Sequence, residues 1–261
     1  MNDIKNSFFS TLVFLTRFPV KVKFEYVSKA DNMIFFPVIG FFIGLCTVAV
    51  AYVSNIIFGA KIASILAVLV MVILTGGLHL DGLSDSFDGL FSYRDKETII
   101  AIMKDSRIGA MGLLAVVFLI ILKMSFFEFS IDKENLFLIM FAPVIGRLSL
   151  VMMCYKAVPM NKSKMGEPFI GKLSKTKYYA IILFYSIVVA GLMYMIYGLS
   201  FAIGSIFAIL GIMILIYKMR LFVYDKIDGI SGDILGASCE ISEMCFIPLL
   251  YVGVYICNIF I

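Results

Sequence analysis

Residues 61–89 read KIASILAVLVMVILTGGLHLDGLSDSFDG. After Lys61 the first half carries no charge; the second half places Asp81, Asp85 and Asp88 within eight positions. An uninterrupted apolar run of this kind suits a helix crossing about 30 Å of hydrocarbon. It does not alternate between apolar and polar residues, so a barrel strand of about ten residues does not describe it. The stretch therefore reads as a transmembrane helix followed at once by an acidic segment.

The rest of the chain agrees. It has 261 residues, 62% of them hydrophobic and 15% charged, with a mean hydropathy of +1.03. A soluble domain carries roughly 25% charged residues and is less than half apolar. No single core of a soluble protein this long would use so much apolar side chain, which excludes that class. Seven stretches are long enough to cross a bilayer, near 33–54, 61–79, 109–127, 135–155, 178–197, 199–218 and 240–260. The expected architecture is an all-α polytopic bundle of about seven transmembrane helices, forming one integral membrane domain over 1–261. Residues 1–30 contain FFSTLVFLTRF, broken by Arg17 and without a small-residue cleavage pattern. They fit an interfacial helix better than a signal peptide.

Basic residues orient such a bundle. Lys5, Arg17, Lys21, Lys23 and Lys29 precede the first span. Arg94, Lys96, Lys104 and Arg107 lie between the second and third. Lys156, Lys162, Lys164, Lys172, Lys175 and Lys177 lie between the fourth and fifth, and Lys218, Arg220 and Lys226 between the sixth and seventh. The opposite connections hold only Lys61 and Lys133, while Lys123 and Arg147 fall inside spans. The positive-inside rule makes the rich side cytoplasmic, with the N-terminus inside and the C-terminus outside a cell (plasma) membrane. Five cysteines lie in or near spans and form no C-x-x-C pair, so they read as small core residues.

Region 76–112 carries the chemistry. On an α-helix at about 100° per residue, Asp81, Asp85 and Asp88 share an arc of about 60°. Three carboxylates on one face repel one another unless a cation sits among them, and oxygen-only ligands suit a hard ion, Mg²⁺ before Mn²⁺ or Ca²⁺. Gly82 and Gly89, beside them, leave room for a bulky anion. The face reads as a metal platform for a phosphate or diphosphate, against the plainer reading of a solvated turn. Residues 102–112, IMKDSRIGAMG, add Asp105 as a further ligand or a general base, with Lys104 and Arg107 as phosphate contacts and Gly109 and Gly112 opening the next span. Lys104 and Arg107 also satisfy simple topology. Arg147, in APVIGRLSL, lies inside a span, where an arginine needs a partner: an aspartate of the platform or a substrate phosphate. His79 is the only histidine and stands as a general base, a phosphate contact or an interfacial residue. A lone histidine is no zinc site.

A second acidic region, 227–245, reads IDGISGDILGASCEISEMC. Asp228, Asp233, Glu240 and Glu243 lead into the last span, with Gly229, Gly232 and Gly236 keeping its start open. Glu240 and Glu243 share a helix face. Their expected roles are gripping substrate hydroxyls and amides or holding a second cation. No nucleotide-binding glycine pattern is present, and nothing points to nucleic acid.

The chain resembles the cobalamin synthase family in FLTRFPV (14–20), FFPVIGFFIG (35–44), GGLHLDGLSDSFDG (76–89), IMKDSRIGAMG (102–112), GR (146–147) and GISGDILGASCEISE (229–243). The likeness runs from near residue 10 to near 250, and the aspartate block together with 102–112 is specific to that family. It departs mildly at Ser231, where threonine is expected. The resemblance implies a Mg²⁺-dependent transfer that joins adenosylcobinamide-GDP to α-ribazole or α-ribazole 5′-phosphate and releases GMP. A homo-oligomer is left open. The pattern also looks like the CDP-alcohol phosphotransferases at Asp85, Asp88 and Gly89 only; their later paired aspartates have no match. The rival readings are a lipid head-group transferase, a membrane prenyltransferase and a cation transporter. The aspartates stand at the end of a span, where a surface enzyme rather than a midplane transport pathway would place them.

Overall fold

The computed structural model describes residues 2–160 and 166–260. Lys162 and Lys164, two of the basic residues used above, lie outside the described residues. The helices are α1 (Asn2–Leu15), α2 (Phe36–Phe58), α3 (Ala60–Thr75), α4 (Leu78–Leu90), α5 (Lys96–Ile102), α6 (Ala110–Asp132), α7 (Phe141–Cys154), α8 (Lys175–Tyr197), α9 (Leu199–Ile227) and α10 (Gly232–Phe260). Short 3-10 turns lead into α2 and α7. Among the described residues the only β pairing is an isolated bridge between Pro159 and Ile230.

Among the described residues six helical stretches are long and apolar enough to cross a membrane, α2 and α7 each counted with the 3-10 turn that leads into it, and then α6, α8, α9 and α10; α3 with α4 makes a seventh if the bent pair is one span. The expected second span is different. Helix α3 ends at Thr75, and the axis turns by 91° into α4. The cause is local: Gly76 and Gly77 take left-handed φ values of 63° and 70°, which side chains with a Cβ rarely adopt. Leu78 and His79, assigned to the span from sequence, therefore belong to α4. At 16 residues α3 is about 24 Å long, short of the hydrocarbon thickness, and α4 lies across the end of the bundle. The last two spans are longer than expected. Helix α9 runs on to Ile227 and α10 starts at Gly232, so 233–243 is helical from its start.

Helix α7 is the axis of the bundle, with all 14 of its residues buried. It packs on α2, α10, α9 and α8. Gly40 in α2 lets that helix approach the Pro143 backbone so closely that a Cβ there would meet the carbonyl, the small-residue packing typical of membrane helices. Arg220 of α9 donates to the carbonyls of Met152, Met153 and Tyr155, satisfying the otherwise open C-terminal end of α7. Ile56, Phe118, Leu183, Phe184 and Ile214 point outward on the perimeter helices. Such a surface would associate in water and is matched by lipid.

The chain crosses the bundle in alternation. As a result α1, α4, α5, the segments 91–109, 155–160 and 166–174, and the α9–α10 corner share one end. Lys96 of α5 pairs with Asp228 at that corner, and Lys177 reaches Asp31 at 2.7 Å. Asn135 bonded to Tyr251 and Ser200 bonded to Asn258 mark the other end. The described parts of all four basic-rich segments thus fall on one end of the molecule.

Candidate active site

Helix α4 is the floor of the candidate site, held between α10 and α6. Two close approaches fix it. A Cβ on Gly82 would meet the Asp233 backbone, and one on Gly236 would meet the His79 backbone and Gly82, so α4 and α10 cross almost in backbone contact. Gly89 faces Met103 and the Ile99 carbonyl of α5. Gly82 and Gly89 were expected to make room for an anion; they make room for neighbouring helices.

The second approach is to α6. Asp88 accepts from the Gly109 N–H at 2.7 Å through one carboxylate oxygen and from the Gly112 N–H at 2.8 Å through the other. An acidic side chain at a helix N-terminus satisfies otherwise open N–H groups and meets the positive end of the dipole. Gly109 and Gly112 are glycine because a Cβ at either would enter the Asp88 carboxylate.

The in-phase aspartates are real, but they differ in surroundings. Asp81 is exposed, Asp85 and Asp88 half-buried. Burial, and then the nearby charges of Asp81, Asp233 and Asp88, push the Asp85 carboxyl up to about 7. Asp233, from the start of α10, has therefore joined the α4 group. The Ser231 hydroxyl lies 3.2 Å from Asp233 and accepts from the Ile234 N–H at 3.3 Å, so the hydroxyl retained at this position begins α10. Lys104 is close enough for its charge to act on Asp233. Among the described residues no three His, Cys, Asp or Glu side chains converge closely enough to hold a metal ion as they stand. The chemistry of the group fits a hard cation all the same: the donors are all oxygen, and several like charges crowd together.

Asp105 and Arg107 pair with each other. The guanidinium reaches the carboxylate at 3.0 Å through Nε and 2.6 Å through Nη2, and the Arg107 N–H adds a third bond. This holds the Asp105 carboxyl at about 2, far below the range of a useful base near neutrality. Asp228 turns the chain out of α9 at φ 56° and pairs with Lys96, apart from the acidic group.

Arg147, Glu240 and Glu243 were expected at the substrate. They lie instead in a sealed ionic network. Lys123 of α6 donates to Glu240 at 2.6 Å and to Glu243 at 2.7 Å. Arg147 of α7 pairs with the other oxygen of Glu243, and its Nη2 stands 3.4 Å from Nδ1 of His79. All five side chains are buried. Two cations balance two carboxylates, so no further cation is required there. Lys123 was passed over in the sequence as a charge inside a span. Its signal was the same as that of Arg147: an ionisable residue at membrane depth implies a partner.

Two cavities meet at Asp81. A cavity of about 90 Å³ extends inward past His79, Asp233, Phe14, Phe36 and Phe169. On the other side, an open groove of about 510 Å³ runs past Arg17, Ser84, Ile108 and Leu113. Asp81 lines both.

The sequence of residues 7–251 matches the model of one family, cobalamin-5-phosphate synthase. The chain belongs to the cobalamin-5-phosphate synthase family. It is similar to the adenosylcobinamide-GDP ribazoletransferase of Clostridioides difficile (strain 630), with 38% identity over 254 residues covering 95% of this chain and 98% of the relative. The enzyme of the same name from Alkaliphilus metalliredigens (strain QYMF) is 38% identical over 250 residues, covering 95% of each chain. That from Clostridium botulinum (strain Okra / Type B1) is 35% identical over 252 residues, covering 96% of this chain and 99% of the relative. No solved structure matches. As a cobalamin-5-phosphate synthase family member, the chain is a transferase of late nucleotide-loop assembly in cobalamin biosynthesis. The site described above is where that transfer has to be sought.

Proposed function

We propose that the protein transfers the cobinamide phosphate of adenosylcobinamide-GDP to a ribose hydroxyl of α-ribazole or α-ribazole 5′-phosphate. The observation that carries this is Asp81 standing on both cavities, so that two substrates can meet at one carboxylate. The names borne by the relatives supply the substrates. The acceptor oxygen forms a bond to the cobinamide-side phosphorus. The bond from that phosphorus to the bridging oxygen breaks, and GMP departs with the bridging oxygen. The hydroxyl proton passes to a carboxylate.

Asp81, Asp85 and Asp233 are the side chains that would hold Mg²⁺. When bound, the ion would neutralise charge building on the leaving phosphate. Asp88, with both oxygens engaged by α6, sets where α4 lies. Lys104, near Asp233, and Arg17, on the groove wall, attract the phosphates. Arg147 and the four buried residues around it hold α4, α6, α7 and α10 together. The described parts of the four basic-rich segments share the site's end of the bundle, which by the positive-inside rule supports a cytoplasmic site.

The test is turnover by the purified protein in lipid nanodiscs, with GMP and product followed together. The reading expects GMP in equal amount to product from adenosylcobinamide-GDP, dependent on Mg²⁺ and abolished by EDTA. Release of CMP from a CDP-activated lipid, with no GMP from the corrinoid donor, would overturn it.

A further inference from the structure

We infer that the groove between the start of α4 and α6 is a diphosphate seat, with Arg17 as its phosphate-binding residue. Three independent observations converge there. First, Arg17 lines the groove, and among the described residues no carboxylate pairs with it. Of the three cations expected to clamp phosphate, Arg107 is committed to Asp105 and Arg147 to Glu243, while Lys104 does not line this groove. Arg17 is held in place, since its N–H donates to the Leu74 carbonyl at 2.7 Å and its side chain lies over Gly76.

Second, the groove contains the N-terminus of α4, a helix of 13 residues whose first turn has no side-chain cap. Leu78 and Leu80 of that turn line it. Uncapped N–H groups at the positive end of a helix favour an anion. Third, Ser84 lines the same groove one turn further on. It is only 4% exposed, and its hydroxyl has no hydrogen-bond partner among the described residues. A buried hydroxyl without a partner costs free energy, which a ligand oxygen would recover.

The remaining wall gives the class of ligand. Ile108 and Leu113 are 71% and 54% exposed beside the polar half of the groove. The groove therefore suits a molecule with a phosphate group at one end and a broad apolar face at the other. A guanidinium presents two parallel N–H groups to phosphate oxygens. Asp81 on the same groove would repel a bare phosphate, so a cation belongs between them. Naming the ligand as the nucleotide-activated corrinoid rests on the function proposed above; the seat for diphosphate does not.

The experiment is calorimetric binding to the protein in nanodiscs, with three probes: inorganic diphosphate, adenosylcobinamide-GDP and α-ribazole. Arg17→Gln keeps the aliphatic stem that packs over Gly76 and removes the charge. It should weaken inorganic diphosphate and the donor about tenfold or more each, and leave α-ribazole within about twofold, with an unchanged melting temperature. Arg17→Lys should recover part of the loss, and Ser84→Ala should weaken diphosphate by a smaller factor. Diphosphate affinity within about twofold of wild type in Arg17→Gln would overturn the inference, as would an equal loss of α-ribazole binding. If diphosphate binding responds as expected but the wild-type protein neither binds nor consumes adenosylcobinamide-GDP, the seat stands and the proposed donor falls.

Discussion

Arg147 of the wholly buried α7 and Glu243 of α10 form an ion pair with no access to solvent. Glu243 also serves Lys123, so a single carboxylate joins α10 to both α6 and α7. Removing one partner of a buried pair leaves an uncompensated charge, a loss of about 3–5 kcal/mol.

The first prediction follows from that balance. Arg147→Met and Glu243→Gln should each lower the melting temperature and the yield of folded protein. The double variant should recover much of the loss, because it removes charge of both signs. Turnover per folded molecule is the second readout. If Arg147→Lys is fully stable yet inactive, Arg147 acts on substrate phosphate and the network is more than scaffold.

The second concerns Asp88 and its glycine partners. Gly112→Ala would drive a Cβ into the Asp88 carboxylate and the Ser84 carbonyl. It should cost stability and reduce turnover by about tenfold or more, an effect of order 1.4 kcal/mol on the barrier if the aspartates shift. Asp85→Asn, by contrast, should keep the melting temperature and abolish turnover. Equal stability of Gly112→Ala and wild type would show that α4 and α6 do not close as described.

The third concerns pH. The Arg107 guanidinium and N–H hold the Asp105 carboxyl at about 2, below its ordinary value of 3.8. A lowered carboxylate favours the folded state above its ordinary value, and that contribution is lost as pH falls through about 2. Asp105 stays ionised throughout the working range. Asp105→Asn should therefore leave the acidic limb of the pH–rate profile where it is, whatever it does to the maximum. Displacement of that limb by about one pH unit or more would make Asp105 the base.

The fourth is topological. Single cysteines at 95 and 168 should react with a membrane-impermeant maleimide only from the cytoplasmic side, and one at 132 only from outside. The first two lie at the site's end of the bundle and the third at the opposite end of α6. Reaction at 95 from outside would separate the site from a cytoplasmic donor.

Composition with the long, non-alternating apolar runs settled that the chain is a bundle of membrane helices, because a side chain's preference for hydrocarbon needs no knowledge of its neighbours. Helical phase likewise put Asp81, Asp85 and Asp88 on one face, since the period of an α-helix is a local property. The bend in the second span was half legible: Gly76-Gly77 signalled a break, but that the helix after it lies held between α6 and α10 was not. The partners of charged groups were not legible. Arg147 looked equally able to meet an aspartate or a phosphate; its actual partner is 96 residues away, and Lys123 joins Glu240 across 117. Gly82, Gly89 and Gly236 looked like openings and proved to be contacts, because a missing side chain records closeness without saying to what. Sequence determined which groups carry charge and which faces they share. Only the packing of α4 between α6 and α10 decided which charges are sealed in pairs and which, like those of Arg17 and Asp81, are left facing a space that a substrate can enter.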